Sequence, residues 1–201
     1  MESIQTKIRL KKKKKMMNII NHVFSMDETT INFSGDKNDT YFKVIENSFT
    51  SAISGKSNLS DEVKKMKGLS GRKFRVMMNY LIKNFENPKY LEIGSWLGSS
   101  ACSVCFNNKV SITCIDDWSQ NFSTNLHSKQ IFKSNLKKFL NEDISPQIIE
   151  KDFRKVNFKN IKNINIYFYD GSHHYKDHYD AIKLVLPSLT KKFILIIDDW
   201  N

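Results

Sequence analysis

The chain has 201 residues, 40% of them apolar and 26% charged, which suits one α/β domain with an N-terminal extension and lets a real core form. No apolar run approaches the roughly 20 residues that cross a bilayer, and Met16 to Met26 is broken by Asn18, Asn21 and His22, a poor signal-peptide core. Residues 1–15 hold +6 of the net charge of +11, and only four of the 32 basic residues are arginine, so the balance does not favour nucleic-acid recognition.

A soluble, cytoplasmic protein is therefore expected. The run Lys11 to Lys15 reads as a solvated tail, with RNA, DNA or an anionic membrane as alternative partners. Residues 1 to about 60 read as a polar, irregular extension with a turn at Gly35, Asp36, Asn38 and Asp39, and residues 61–201 as the folded domain. Gly68-Leu69-Ser70-Gly71-Arg72 leaves two readings open: a clamp for an anionic ligand group through Arg72, or the N-terminal turn of the helix that follows. That helix is marked by Phe74, Met77, Met78, Leu81, Ile82 and Phe85 on one face, and Asn87-Pro88 ends it.

The chain then alternates. Tyr90 to Ile93 is a short buried strand, followed by a Gly/Ser turn and a helix over Ser99 to Phe106. Cys102 and Cys105 in that helix and Cys114 beyond it make an odd count, and the lone C-x-x-C lacks the second pair of a zinc site, so all three read as buried reduced thiols. Val110 to Ile115 is a second strand, residues 124–141 a helix, Gln147 to Ile149 a weak third strand and Ile164 to Tyr169 a fourth. Tyr179, Ile182, Val185 and Leu186 mark a helix ended by Pro187, and Phe193 to Ile197 is a fifth, wholly apolar strand. Apolar strands alternating with helices predict a Rossmann-like, doubly wound, mainly parallel sheet with helices on both faces. Ligands of such sheets bind at the carboxyl ends of the strands, where the winding reverses.

After the first strand comes Glu92-Ile93-Gly94-Ser95-Trp96-Leu97-Gly98-Ser99-Ser100. Gly94 permits a sharp turn, and Gly98 lets the next helix start close to a ligand. The dinucleotide fingerprint is absent, because the middle glycine of G-x-G-x-x-G is missing. The second strand ends in Asp116-Asp117, where an acid is positioned to bind a ribose diol.

An acid, a glycine, three residues and a second glycine, here Glu92, Gly94 and Gly98, resemble the first motif of the class I S-adenosylmethionine-dependent methyltransferases. The resemblance covers about residues 68–201. It implies that Gly94, Ser95 and Gly98 line the methionine moiety of S-adenosylmethionine and that Glu92 holds the site through hydrogen bonds. It further implies that Asp116 takes the ribose hydroxyls and that Asp152 faces the adenine with Phe153 and Trp118 flanking the ring; the anionic group that the Arg72 reading would clamp is then the cofactor carboxylate.

The fourth strand runs into Asp170-Gly171-Ser172-His173-His174-Tyr175 and the fifth into Asp198-Asp199-Trp200. Neighbouring strand ends would gather these carboxylates, which repel unless a cation or a proton sits among them, and Mg²⁺ is the candidate ion. These segments resemble the methyltransferase family related to macrocin-type sugar O-methyltransferases. That likeness implies Asp170, Asp198 and Asp199 as metal ligands and His173, beside Asp170, as the base. The competing readings are a zinc pair at His174 and His178, which lacks a third ligand, and Asp198-Asp199 as a solvated strand end. Asp177 and Asp180 read as helix-surface charges.

Seven strands are usual in this class, and five are visible here. The chain stops two residues after Asp199, so a short form, a fragment, or completion by a partner, with a homo-oligomer covering the fifth-strand edge, all remain open. The reading that results is O-methylation of a small hydroxylated or sugar-containing substrate. Its rivals are an RNA or protein methyltransferase using the basic tail and a catalytically inactive binding module.

Overall fold

The computed structural model describes residues 31–120 and 127–199. The Lys11 to Lys15 run, Met16 to Met26, Trp200 and the start of the helix expected over 124–141 lie outside the described residues.

The stretch expected to be irregular contains a helix, α1 (Thr40–Ile53). Asp39, taken as part of a turn, is its N-cap, and Oδ1 accepts the N–H groups of Tyr41 at 2.7 Å and Phe42 at 3.2 Å. Tyr41, Val44, Ile45 and Phe49 recur at three- and four-residue steps and pack onto the main core. The stripe was hidden because Lys43, Asn47 and Thr50 alternate with it on the exposed face. A short helix, α2 (Asp61–Lys65), is capped by the Ser60 hydroxyl. The long helix α3 (Arg72–Asn84) buries Met77, Met78, Leu81 and Ile82, as its spacing predicts, together with Val76, which that stripe did not include, and stops before Asn87-Pro88.

The strands are β1 (Lys89–Ile93), β2 (Ser111–Asp116), β3 (Gln147–Glu150), β4 (Ile164–Tyr169) and β5 (Leu189–Ile197). Helix α4 (Ser99–Cys105) follows β1, α5 (Ser128–Phe139) follows β2 and α6 (Tyr175–Val185) follows β4. All neighbours pair in parallel, in the order β3-β2-β1-β4-β5. The chain winds outward from β1 to β3 and then returns to lay β4 on the other flank of β1. The winding therefore reverses between β1 and β4, as in other doubly wound sheets.

Successive strand residues face opposite sides, and this alternation divides the apolar residues into two cores. Tyr90, Ile112, Cys114, Ile166, Phe168 and Ile194 join the side covered by α1, α3, α4 and α5. Leu91, Ile93, Ile115, Tyr167 and Tyr169 join the side covered by α6 and the turns around Phe153 and Phe158. The three cysteines are free and fully buried, and burial pushes the Cys102 thiol up to about 12, which keeps it protonated and inert. No helix among the described residues is long and apolar enough to cross a membrane.

Candidate functional site

A cleft of about 650 Å³ opens at the carboxyl ends of the strands, centred on the reversal between β1 and β4. It is lined by the turns after β1, β2, β3 and β4, by the end of β5, and by the Leu69 to Phe74 segment at the start of α3.

The two motif glycines answer to different neighbours. Gly94 has φ 93°, and a Cβ on it would stand 1.9 Å from the carbonyl oxygen of Asp170. Its N–H donates to Ile115 O at 3.0 Å, while Asp170 N–H donates to Ile93 O at 2.9 Å, so three strand ends converge on this Cα. Gly98 has φ 82° at the N-cap of α4, and a Cβ there would stand 2.9 Å from Phe132 of α5. Gly94 and Ser95 line the cleft as expected, whereas Gly98 is not among the lining residues and packs against Phe132. Its conformation serves the α4–α5 contact.

Glu92 lies beneath the cleft and does not line it. Burial raises its pKa, Tyr90 Oη donates to Oε2 at 2.9 Å, and the Ser95 and Ser100 hydroxyls lie close enough to ease its ionisation. Neither Glu92 Oε1 nor Ser95 Oγ has a well-formed hydrogen bond among the described residues.

Asp116 closes two loops at once. Its Oδ2 accepts Trp96 N–H at 2.7 Å and its Oδ1 accepts Trp118 N–H at 2.6 Å, and Trp118 Nε1–H donates to Trp96 O at 2.8 Å. Both tryptophans sit at positive φ, 41° and 50°, conformations these hydrogen bonds help to hold. Burial raises the Asp116 pKa against the lowering effect of the two N–H donors. The carboxylate lines the cleft, as a ribose-binding acid would, with one lone pair on each oxygen already taken. Trp118 also lines the cleft, its ring packed on Phe132 at 5.2 Å.

Asp152 lines the cleft and is held by Arg154, whose Nε donates to Oδ1 at 2.9 Å, which lowers the carboxyl pKa. The same guanidinium reaches Asp177 Oδ1 on α6 at 2.7 Å. Asp177 is thus a buried ion-pair partner and not the surface charge expected, whereas Asp180 is paired with Lys176 along the helix surface. Phe153 borders the cleft, but its ring is buried edge-on to Tyr169 at 5.9 Å, which makes it part of the floor. Arg72 is exposed on the first turn of α3 and outside the cleft, so of its two readings the structure supports the helix turn. The buried arginine is Arg75, which donates to the carbonyls of Val63, Lys64 and Met66 and to Ser70 Oγ, tying α2 to α3.

The acidic cluster is assembled at the strand ends. Asp198 N–H donates to Tyr169 O at 3.0 Å, beside Asp170. Burial, followed by the nearby Asp198, Glu92 and Asp199 carboxylates, pushes Asp170 up to about 8. Asp199, at φ 50°, turns out of the strand, and its Oδ2 stands 3.5 Å from His173 Nε2. Among the described residues no group of three His, Cys, Asp or Glu side chains is arranged to hold a metal ion. Asp170, Asp198 and Asp199 therefore border one cleft without forming the expected ligand set, because Asp199 is directed at His173. In this arrangement the donor set does not fit a divalent cation. The His174–His178 zinc reading also finds no geometry: His174 is exposed, while His178 is buried against Tyr169 at 5.2 Å.

The Arg154 bridge and the Arg75 tie carried no sequence signal, since each joins segments brought together only by the fold. Sequence spacing did locate the acids and His173, because strand ends converge by construction.

No curated protein matches this sequence. Among solved structures, a precorrin-6y C5,15-methyltransferase from Geobacter metallireducens is 14% identical at a TM-score of 0.51, over 70% of each chain. A protein provisionally assigned as a caffeoyl-CoA O-methyltransferase from Staphylococcus aureus is 18% identical at 0.50, over 92% of this chain and 71% of that one. The precorrin 8w decarboxylase of Methanobacterium thermoautotrophicum is 16% identical at 0.50, over 65% of this chain, which spans less than two thirds (64%) of that protein's length. At such identities the likeness is one of fold. The family model described as a methyltransferase domain matches residues 91–200, from within β1 to the end of the acidic cluster. The chain belongs to this methyltransferase-domain family, within the class I S-adenosylmethionine-dependent methyltransferases.

Proposed function

We propose that the chain methylates an oxygen of a small hydroxylated molecule, sugar-containing molecules included, with S-adenosylmethionine as donor. The observation that carries this reading is the His173–Asp199 pair, 3.5 Å apart and half-exposed, at the rim of a cleft whose depth holds Asp116 and Asp170. When bound, S-adenosylmethionine supplies an electrophilic methyl group on a sulfonium centre. A cationic donor fits this cleft: carboxylates crowd its floor, and their mutual repulsion, with burial, is what lifts the Asp170 pKa. Ser95 lines the same cleft.

The work left to the protein is orientation and proton removal. With Nε2 facing Asp199, His173 presents Nδ1 to take the proton of a substrate hydroxyl, and the Asp199 carboxylate stabilises the imidazolium that results. The half-exposed position of His173 leaves room for the substrate at the mouth of the cleft.

Calorimetric titration of the full chain with S-adenosylmethionine, with a nicotinamide dinucleotide as the contrasting ligand, tests the first half. Saturable binding of the former alone is expected, and no binding by folded protein would overturn the donor assignment. Methyl transfer from labelled donor to hydroxylated acceptors tests the second half. His173→Ala should retain donor binding and lose transfer, and unchanged transfer by that variant would remove His173 from the base role.

A further inference from the structure

His173 stands 54% exposed on the turn between β4 and α6, and the start of α6 does not hold that turn by itself. His174, the N-cap residue, makes no side-chain capping bond among the described residues. Asp177 occupies the third helical position, where an acid ordinarily reaches back to the N–H of its own cap. Here the carboxylate is turned to another segment, and its Oδ1 accepts Arg154 Nη1–H at 2.7 Å.

The turn is fastened from below. Tyr169 Oη donates to Ser172 O at 2.7 Å, and the ring lies so close that a Cβ on Gly171 would stand 2.9 Å from it. The N–H groups of Asp177 and His178 both donate to His174 O, at 2.8 and 3.1 Å. The His173 imidazole itself rests on that of His178, with ring centroids 6.3 Å apart and planes 27° from parallel. Each of these fixings ends on Tyr169 or on the first turn of α6, so the place of the imidazole is set by where that helix begins.

The start of α6 is in turn located by the segment after β3. Arg154 spans two carboxylates with one fork: Nε–H donates to Asp152 Oδ1 at 2.9 Å while Nη1–H donates to Asp177 Oδ1. Asp152 Oδ1 also accepts the backbone N–H of Arg154 at 3.0 Å, which fixes the root of the fork. The guanidinium lies over the Phe153 ring at 5.3 Å, and a line of rings continues from there. Phe153 meets Tyr169 at 5.9 Å, and Tyr169 meets His178 at 5.2 Å. An ionic route and an aromatic route thus join the same two places. Asp177 is buried, so removing Arg154 leaves a buried carboxylate without its cation. A planar fork that holds two acids at once is a task for arginine and not for lysine.

We infer that Arg154 is a positioning residue for His173: by clamping Asp152 on the β3 turn to Asp177 on α6, it fixes where the imidazole stands at the cleft, an inference that rests on the base role proposed for His173. The wall that Asp152 lines and the rim where the acceptor proton leaves then share one guanidinium. Displacing a reacting group by about 1 Å costs on the order of 100-fold in rate, so a clamp remote from the proton governs turnover.

Two measurements on the full chain test this. The first needs no ligand: imidazole proton resonances are followed by NMR at fixed pH, with the His173 signal identified by its loss in His173→Ala. Arg154→Met and Asp177→Leu should each shift or broaden that signal and leave the His127 signal in place. Gly171→Ala, which lifts the turn off the Tyr169 ring, should move it in the same way. The second is kinetic. Asp177→Leu leaves Arg154 on Asp152, so the dissociation constant for S-adenosylmethionine should stay within about twofold while kcat for a hydroxylated acceptor falls about 10- to 100-fold. Circular dichroism establishes that each variant is folded. A His173 signal unmoved in folded Arg154→Met and Asp177→Leu overturns the inference. So does a kcat of Asp177→Leu within about twofold of the unmodified chain, or a donor affinity that falls in step with kcat. Absence of methyl transfer by the unmodified chain would instead refute the proposed reaction, and the resonances would still decide whether Arg154 sets the place of His173.

Discussion

Replacing Gly94 by alanine tests whether this glycine serves the ligand or the fold. The new Cβ would stand 1.9 Å from Asp170 O, well inside van der Waals contact, and at φ 93° the residue itself is strained. The left-handed backbone costs about 1–2 kcal/mol for a side chain. Relieving the overlap means separating the ends of β1 and β4, which stretches the Asp170 N–H to Ile93 O and Gly94 N–H to Ile115 O bonds, each contributing about 1 kcal/mol. The sum is about 3–4 kcal/mol, a large part of the roughly 5–15 kcal/mol that holds a domain folded. Gly98→Ala is the internal comparison, since its Cβ meets a side chain, the edge of the Phe132 ring at 2.9 Å, where that of Gly94 meets backbone at 1.9 Å, and a smaller cost of about 1–2 kcal/mol is expected. Urea unfolding of both variants without ligand gives the two values from the shift in midpoint at constant slope. A Gly94→Ala cost below about 1 kcal/mol, or one no larger than that of Gly98→Ala, would refute the reasoning and return the glycine to a ligand-facing role.

Three further outcomes follow from the site. Asp170, with a folded-state pKa of about 8 against 3.8 ordinarily, keeps its proton in the folded chain while the unfolded chain loses it, so its contribution should weaken stability as pH rises from about 4 to 8. The slope is at most about 1.4 kcal/mol per pH unit and is reduced by water in the cleft; Asp170→Asn should flatten it in urea titrations at several pH values, and an unchanged slope would disprove the assignment. Arg154→Met should strip Asp177 of its partner at a cost of about 1–2 kcal/mol, given the half-exposed guanidinium, and weaken donor binding; in thermal melts Asp177→Asn should remove most of the difference between Arg154 and Met. Asp116→Ala should free the Trp96 and Trp118 loops, costing about 2–3 kcal/mol and shifting tryptophan emission to the red, while Asp116→Asn keeps one acceptor and should cost about half as much.

The parts of the fold written in apolar runs were legible beforehand. Phe193–Ile197 read as a buried strand because it is apolar throughout, and Tyr90–Ile93 and Ile164–Tyr169 because each is interrupted by a single polar residue, Glu92 or Asn165; their alternation with helices points to the parallel order. Acids after β2, β4 and β5 followed at once, since parallel strands deliver their carboxyl ends to one place. Helix α1 escaped because its stripe is diluted by polar residues and becomes visible only against α3. Arg72 and Arg75 are one helical turn apart, and nothing local says which is buried; the carbonyls of Val63, Lys64 and Met66 decide it. Gly98 was placed correctly in the turn but with the wrong neighbour, because Phe132 comes to it from a distant helix. The carboxylates were correctly brought together, yet ligand geometry depends on the single backbone angle at Asp199.

The pairing of β1 with β4 also governs when the cleft comes into being. Lys89 N–H is bonded to the side chain of Asn165, 76 residues further along, and the Gly94–Asp170 contact spans a similar length. Closing so long a loop costs entropy before any contact repays it, and non-local parallel pairing is slow for this reason. During synthesis the chain emerges in order, so β1, β2 and β3 are available while the slot beside β1 is still vacant. Leu91 and Ile93 then lack the cover of Tyr167 and Tyr169, and half of the wall of the cleft does not exist. The cleft is therefore a late product of folding, and a chain halted before residue 164 is both inactive and exposed along the middle of its sheet.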